Sequence, residues 1–172
     1  MRTALDRAAA RITGKFDRQP EVEAAIRDTI GETYLDLGLY PEAGTQFERA
    51  LELHRRVLGA QNPETLKTIS RLGRTAFLQG KYPQAEALLR QSVEGQRRAL
   101  GAEHRDTLGS MANLAALYRL QGKHAQAEAL HSQTLEIRRR VLGAEHPDTL
   151  VSMDDLAVVY RQEGKNPQAE AL

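Results

Sequence analysis

The chain predicts an all-α solenoid of stacked, antiparallel helix hairpins, and three observations carry that expectation. The sequence repeats at a step of 42 residues, each unit holds two apolar stripes of helical period, and short glycine turns separate the stripes. The step is visible at independent landmarks. Leu58-Gly59, Leu100-Gly101 and Leu142-Gly143 share it, as do Thr65-Leu66, Thr107-Leu108 and Thr149-Leu150. Gly38, Gly80, Gly122 and Gly164 keep the same spacing, and so do Ala43, Ala85, Ala127 and Ala169.

Each unit reads as two helices. In the third, Leu108, Met111, Leu114, Ala115 and Tyr118 recur at steps of three and four, which places them on one helix face. That helix is expected to stop at Gly122, where glycine takes a left-handed cap. A second stripe runs through Ala127, Leu130, Thr134, Leu135, Ile137 and Val141 and ends at Gly143. Helix entries are marked by Asn62-Pro63-Glu64-Thr65 and His146-Pro147-Asp148-Thr149, with proline where its missing N–H costs nothing and an acid in the positive first turn. Small residues stand where paired helices must approach: Gly31, Gly73, Ala115 and Ala157 on the first helix, the Ala43 series on the second. One hairpin cannot bury its apolar faces alone, so successive units must stack.

The units span about residues 20–58, 62–100 and 104–142, with a partial fourth at 146–172. Ahead of the repeats (18–172), residues 1–17 read as a leading amphipathic helix, since Leu5, Ala8, Ala9, Ile12 and Phe16 recur at helical spacing. Arg2, Arg7, Arg11 and Lys15 are shared with targeting presequences, the alternative for this stretch, but a signal-peptide apolar core is missing. The chain stops at Ala169-Glu-Ala-Leu172, a turn into the next helix and without a polar capping helix, from which a piece of a longer protein is expected.

Composition excludes more than it selects. The 172 residues are 41% hydrophobic and 27% charged with a formal net charge of +1, so no global field draws the chain to nucleic acid or anionic lipid. There is no cysteine, hence no disulfide and no thiolate metal site, which fits a reducing cytoplasmic setting. No apolar run approaches the roughly 18 residues needed to span a bilayer. Thr13-Gly14-Lys15 lacks the glycine spacing of a phosphate loop. Of the histidines (His54, His104, His124, His131 and His146), no pair has the helical spacing of a zinc site. His104 and His146 hold equivalent corners and are expected to cap helices, while His131 falls on a core stripe as a half-buried replacement. Asp154-Asp155 point about 100° apart and cannot form a facing acid pair. Neither an enzyme nor a cofactor or metal site is expected. Arg55-Arg56, Arg97-Arg98 and Arg139-Arg140 also repeat, with Arg138 extending the last. They sit at second-helix C-termini, where they complement the helix dipole and have Glu52, Glu94 and Glu136 within pairing distance along the helix. Without interleaved aromatic residues they do not predict nucleic-acid binding.

Leu142-Gly-Ala-Glu-His-Pro-Asp-Thr-Leu-Val-Ser-Met-Asp-Asp-Leu-Ala157, with Tyr160 and Gly164-Lys165, resembles a tetratricopeptide repeat of the 42-residue kinesin light chain type. The likeness covers about Pro20 to Leu172. The leading Arg11-Ile-Thr-Gly-Lys-Phe16 and Leu35-Asp-Leu-Gly-Leu-Tyr40 look like the start of the repeat region in bacterial kinase-linked signalling proteins. The resemblance implies a right-handed superhelix whose first helices line a concave groove that receives a peptide or partner segment. Anchored on Ile30, Leu72, Leu114 and Leu156, the groove positions it implies are Asp28, Ser70, Ala112 and Asp154, then Arg71, Asn113 and Asp155, then Glu32 and Arg74, then Phe77 and Arg119, with Lys67 a turn earlier. Leu35 and Leu120 stand near as apolar pocket residues. The family usually carries asparagine two residues before the anchor, to hold the ligand backbone. Only the adjacent Asn113 remains here.

Lys67, Arg71, Arg74 and Arg119 make a basic centre between acidic ends at Asp28, Glu32, Asp154 and Asp155. That pattern suits an acidic or phosphorylated peptide, against the alternative that the cations pair with acids of neighbouring hairpins. No membrane or nucleic-acid partner is expected. Self-association through the C-terminal end, as a structural segment of a larger signalling protein with no soluble ligand, is the second reading.

Overall fold

Local chemistry sets where each helix starts and stops. The computed structural model describes residues 2–12 and 14–172, so Thr13 of the Thr13-Gly14-Lys15 run lies outside the described residues. Among these, nine helices follow one another without a strand: α1 (Arg2–Ile12), α2 (Pro20–Asp36), α3 (Tyr40–Leu58), α4 (Pro63–Leu78), α5 (Tyr82–Leu100), α6 (Arg105–Leu120), α7 (His124–Leu142), α8 (Pro147–Gln162) and α9 (Asn166–Glu170). They gather into two compact units, one reaching Ala99 and one beginning at Leu100.

The corners between hairpins are built alike in both units. Gly59, Gly101 and Gly143 adopt φ of 89°, 95° and 94°, a region that residues with a Cβ avoid. The hydroxyls of Thr65, Thr107 and Thr149 donate to the carbonyls of those glycines at 2.8, 2.9 and 2.8 Å. This bond accounts for the repeated Thr-Leu pair. The next helix is then capped. Asn62 Oδ1 accepts from the Glu64 N–H at 2.9 Å, and the Nδ1 atoms of His104 and His146 accept from Asp106 and Asp148 at 3.2 and 3.1 Å. Both corner histidines therefore cap helices. Within hairpins, Gly38, Gly80, Gly122 and Gly164 terminate the first helix at φ near 72° (72°, 73°, 71° and 73°).

In the N-terminal unit the second helix presses into the first at glycines. A methyl on Gly31 would lie 2.6 Å from the Phe47 ring, and one on Gly73 would lie 2.8 Å from Leu89. Gly95 of α5 in turn lies directly against Leu66 of α4. Phe47 and Leu89 are wholly buried. The core around Ile30, Tyr34, Phe47, Ile69 and Leu72 also takes Ile12 of α1, with Leu5, Ala9 and Phe16 packed on it. Tyr34 ties the leading helix down by donating from its hydroxyl to Asp6 Oδ1 at 2.7 Å. That helix ends at Ile12 rather than at Phe16, and Phe16 reaches the core from the turn around Gly14, whose φ is 79°.

In the C-terminal unit α7 packs on both α6 and α8. Met111, Ala115, Leu117 and Val159 are fully enclosed. His131 occupies the place that Phe47 and Leu89 hold in the other unit. It is 2% exposed, more deeply buried than the half-buried replacement expected, because the helix face leaves it no path to solvent. Among the described residues, no helix is long and apolar enough to cross a membrane.

The glycines give a paired prediction. Gly31→Ala should destabilise the protein by about 1–3 kcal/mol through overpacking against the buried Phe47 ring, despite alanine's better helix propensity. Gly109→Ala, in α6 with open space around it, should stabilise by about 0.5–1 kcal/mol. Urea denaturation of the two variants checks both signs.

Candidate functional site

The first helices of the N-terminal unit carry seven of the groove residues, and the structure joins three of them. Asp28 on α2 is buried at 6% exposure, and its carboxylate is held from three sides. His54 Nε2 of α3 lies 3.1 Å from Oδ2, the Thr68 hydroxyl of α4 lies 3.1 Å from both oxygens, and Arg71 Nη1 of α4 stands 3.1 Å from Oδ2. A carboxylate only accepts, so Nε2 of His54 donates in this contact. Arg71 turns its Nε to Glu32 Oε1 at 2.5 Å, completing a chain of charge from Glu32 through Arg71 to Asp28. These bonds stitch α2, α3 and α4 together and leave Asp28 engaged within the fold. His54 and Thr68 belong to this cluster although the groove pattern did not include them. The signal for His54 was its departure from Gln96 and Arg138 at the same repeat position.

A second buried set lies on the same elements. Arg27 Nε donates to Glu23 Oε1 at 2.7 Å and Arg27 Nη1 to Gln46 Oε1 at 3.0 Å. Arg49 on α3 bonds Glu52 at 2.9 Å, so Glu52 serves Arg49 instead of the expected Arg55.

The remaining N-terminal groove residues differ in availability. Ser70 is buried, Lys67 is half-buried and Arg74 is exposed. Neither Lys67 nor Arg74 forms an ion pair among the described residues. They stand seven residues apart on α4, two turns of one face. Phe77, half-buried, tilts against Tyr82 with ring centroids 6.3 Å apart. Leu35, expected near an apolar pocket, is instead 5% exposed within the core cluster.

The C-terminal unit carries the other five. Ala112, Asn113 and Arg119 on α6 are half-buried, as is Asp155 on α8, while Asp154 is exposed. Leu120 is 50% exposed. Burial pushes the His131 imidazole below its ordinary range, with Asp155 opposing the shift and Arg119 and Arg138 adding to it. Arg138 does not extend a surface ladder. It turns inward, donating from Nη1 to Ser152 Oγ at 2.7 Å and to the Asp148 carbonyl at 2.9 Å. Arg139 and Arg140 stay at the surface, where Arg140 meets Glu103 at 2.8 Å. No group of three or more metal-ligating side chains occurs among the described residues.

This architecture is that of a repeat family. A tetratricopeptide-repeat profile matches residues 22–98, 65–140 and 106–172, and the chain belongs to that family. Solved structures agree. BtubC (BKLC) from P. vanneervenii superposes with a TM-score of 0.83 at 20% identity, over 99% of this chain and 68% of that one. A Podosopora anserina putative kinesin light chain with nearly identical repeats gives 0.79 at 28% identity, over 88% and 71%. MamA gives 0.68 at 17% identity, over 99% and 85%. No curated protein sequence matches the chain. Tetratricopeptide-repeat proteins are generally non-enzymatic scaffolds that bind protein partners.

The buried polar groups carry two expectations. Asp28→Ala should cost about 3 kcal/mol by leaving the buried His54 without its acceptor and stripping Thr68 and Arg71 of one of theirs, measured by chemical denaturation. His131 has a folded pKa below its unfolded value near 6.5, so the unfolded chain takes up a proton first as pH falls. Stability is unaffected above about pH 6.5 and declines below it. His131→Leu should remove that part of the slope, so the thermal midpoints of variant and parent diverge increasingly from pH 7 to pH 5.

Proposed function

We propose that the chain is a docking scaffold that receives a peptide or partner segment along the face of its first helices. The observation that carries this reading is the pair Lys67 and Arg74, two cations on one face of α4 that the fold leaves without ion-pair partners among the described residues. Arg71 between them is committed to Asp28 and Glu32. Glu32 and Asp28 therefore neutralise the middle cation, and the outer two supply the attraction. A segment with a carboxylate or phosphate near the middle suits them, with half-buried Phe77 beside Arg74 offering an apolar contact. Ser70 completes the set proposed on the N-terminal unit, and Ala112, Asn113, Arg119, Asp154 and Asp155 are the set proposed on the C-terminal unit.

The alternative is a structural or self-associating segment without a soluble ligand. For the first reading, residues 18–172 act as the repeat module of a bacterial signalling protein in the cytoplasm, with residues 1–17 leading into it.

Selection of a random peptide library on the chain tests the proposal. An acidic motif should be enriched on the parent protein and lost on the double variant Lys67→Glu, Arg74→Glu, which spares the buried network. Equal enrichment on both proteins would remove the groove assignment. No enrichment, together with a mass that grows with concentration, would favour the self-associating reading.

A further inference from the structure

A cavity of about 540 Å³ opens on another face of α4, lined by Gly44 and Glu48 of α3, Leu72 and Ala76 of α4, Gln79 at its C-cap, and Lys81 in the turn before α5. Its α4 residues stand about 80° or more around the helix from Lys67, so the cavity is independent of the groove.

The repeat itself shows what this place normally contains. In the C-terminal unit the residue two repeats on from Lys81 is Lys165. Its ammonium meets Glu128 Oε2 at 2.7 Å and Glu163 Oε2 at 3.0 Å, and it lies 5.7 Å from the centre of the Tyr160 ring. The two carboxylates hold its pKa above the ordinary lysine value. Two repeats earlier, Gly44 stands in the place of Glu128, Gln79 in that of Glu163, and Ala76 in that of Tyr160. All three groups that surround Lys165 are thus replaced around Lys81, each by a smaller or uncharged residue. Gln79 is occupied at the cavity wall, donating from Nε2 to the Tyr40 carbonyl at 2.8 Å. Lys81 is exposed and forms no ion pair among the described residues.

Packing does not demand the glycine. A methyl on Gly44 would have Gln79 Nε2 at 3.6 Å and Thr75 Cγ2 at 3.8 Å as nearest neighbours, ordinary contact distances, and Gly44 lies inside α3 where glycine is unfavourable. The position keeps a residue that weakens the helix and leaves a lysine facing an open cavity.

We infer that this cavity is a receptor for the acidic side chain of another protein, with a glutamate or aspartate entering over Gly44 to pair with Lys81. The incoming carboxylate takes the place that Glu128 holds against Lys165. Leu72 and Ala76 receive its methylene groups, and the first turn of α3 at Tyr40 and Pro41, also on the cavity wall, adds the positive end of a helix dipole. Glu48, one turn further along α3, sets the selectivity. Its own negative charge disfavours a doubly charged phosphate and tolerates a single carboxylate better.

Titration of the ¹⁵N-labelled protein with N-acetyl-glutamate N-methylamide, followed by amide spectra, tests the assignment. Saturable shifts at Gly44, Gln79 and Lys81 are expected, with a midpoint on the order of millimolar, since the charge pair, the methylene contacts and the helix end act together. Gly44→Ala gives at least as large a gain in helix propensity as glutamate would, without a carboxylate, and should keep the midpoint within about twofold. Gly44→Glu places an acid beside Lys81 in the same chain and should weaken binding at least about tenfold. It should also raise the thermal midpoint above that of Gly44→Ala. Equal shifts with the capped glutamine, undiminished binding to Gly44→Glu, or no shift at these three residues would each overturn the inference. Loss of the library motif with Lys67→Glu and Arg74→Glu bears on the groove alone, so the two readings fail separately.

Discussion

A buried side chain seated on a glycine is the contact on which each N-terminal hairpin depends. Phe47 rests on Gly31, Leu89 on Gly73, and Leu66 on Gly95, so the two helices of a hairpin approach more closely than any Cβ would allow. Short interaxial distance brings the flanking polar side chains within bonding reach. Only then can Asp28 of α2 accept from Thr68 of α4 and His54 of α3 at once. The polar network is secondary to the packing in this sense. Carboxylate, imidazole and guanidinium each lose hydration in the interior, and they are tolerated because the apolar contacts around them have already placed their partners.

The repeats share a frame and differ in what they hang on it. The position of His54 is Gln96 in the second unit and Arg138 in the third. His54 reaches an aspartate, and Arg138 reaches a serine and a main-chain carbonyl. The Gln96 amide is fully buried, and neither of its polar atoms is bonded among the described residues. One repeat position thus supports three different polar solutions, because the corner glycine, its threonine bond and the N-cap already determine the path of the backbone. Polar chemistry can vary from unit to unit without altering the hairpin that carries it, which suits a family whose members bind different protein partners.

Much of this was legible from spacing alone. Hairpins, corner glycines, caps at His104 and His146 and the small residues at helix crossings all follow from local rules with a period of 42. The groove was less legible, since charge along a helix does not reveal which charges the fold will consume. Asp28 and Arg71 are 43 residues apart in sequence, and their pairing depends on the stacking of α2 and α4. His131 shows the opposite case. Its polarity suggested partial exposure, but its place on the apolar stripe prevailed and the imidazole went into the core, where burial disfavours its charged form. The cavity at Lys81 could have been found by asking what each repeat lacks relative to its neighbours, a question that a search for shared landmarks passes over.

The corner bonds have a kinetic meaning. Each threonine–glycine bond closes a loop of six residues, and Gly31–Phe47 and Gly73–Leu89 each join residues sixteen apart. Contacts so near in sequence carry little loop-closure entropy, so nucleation is not reserved for one part of the chain. Either N-terminal hairpin that seats its side chain on its glycine can template the other, and folding of that unit spreads outward from wherever it begins.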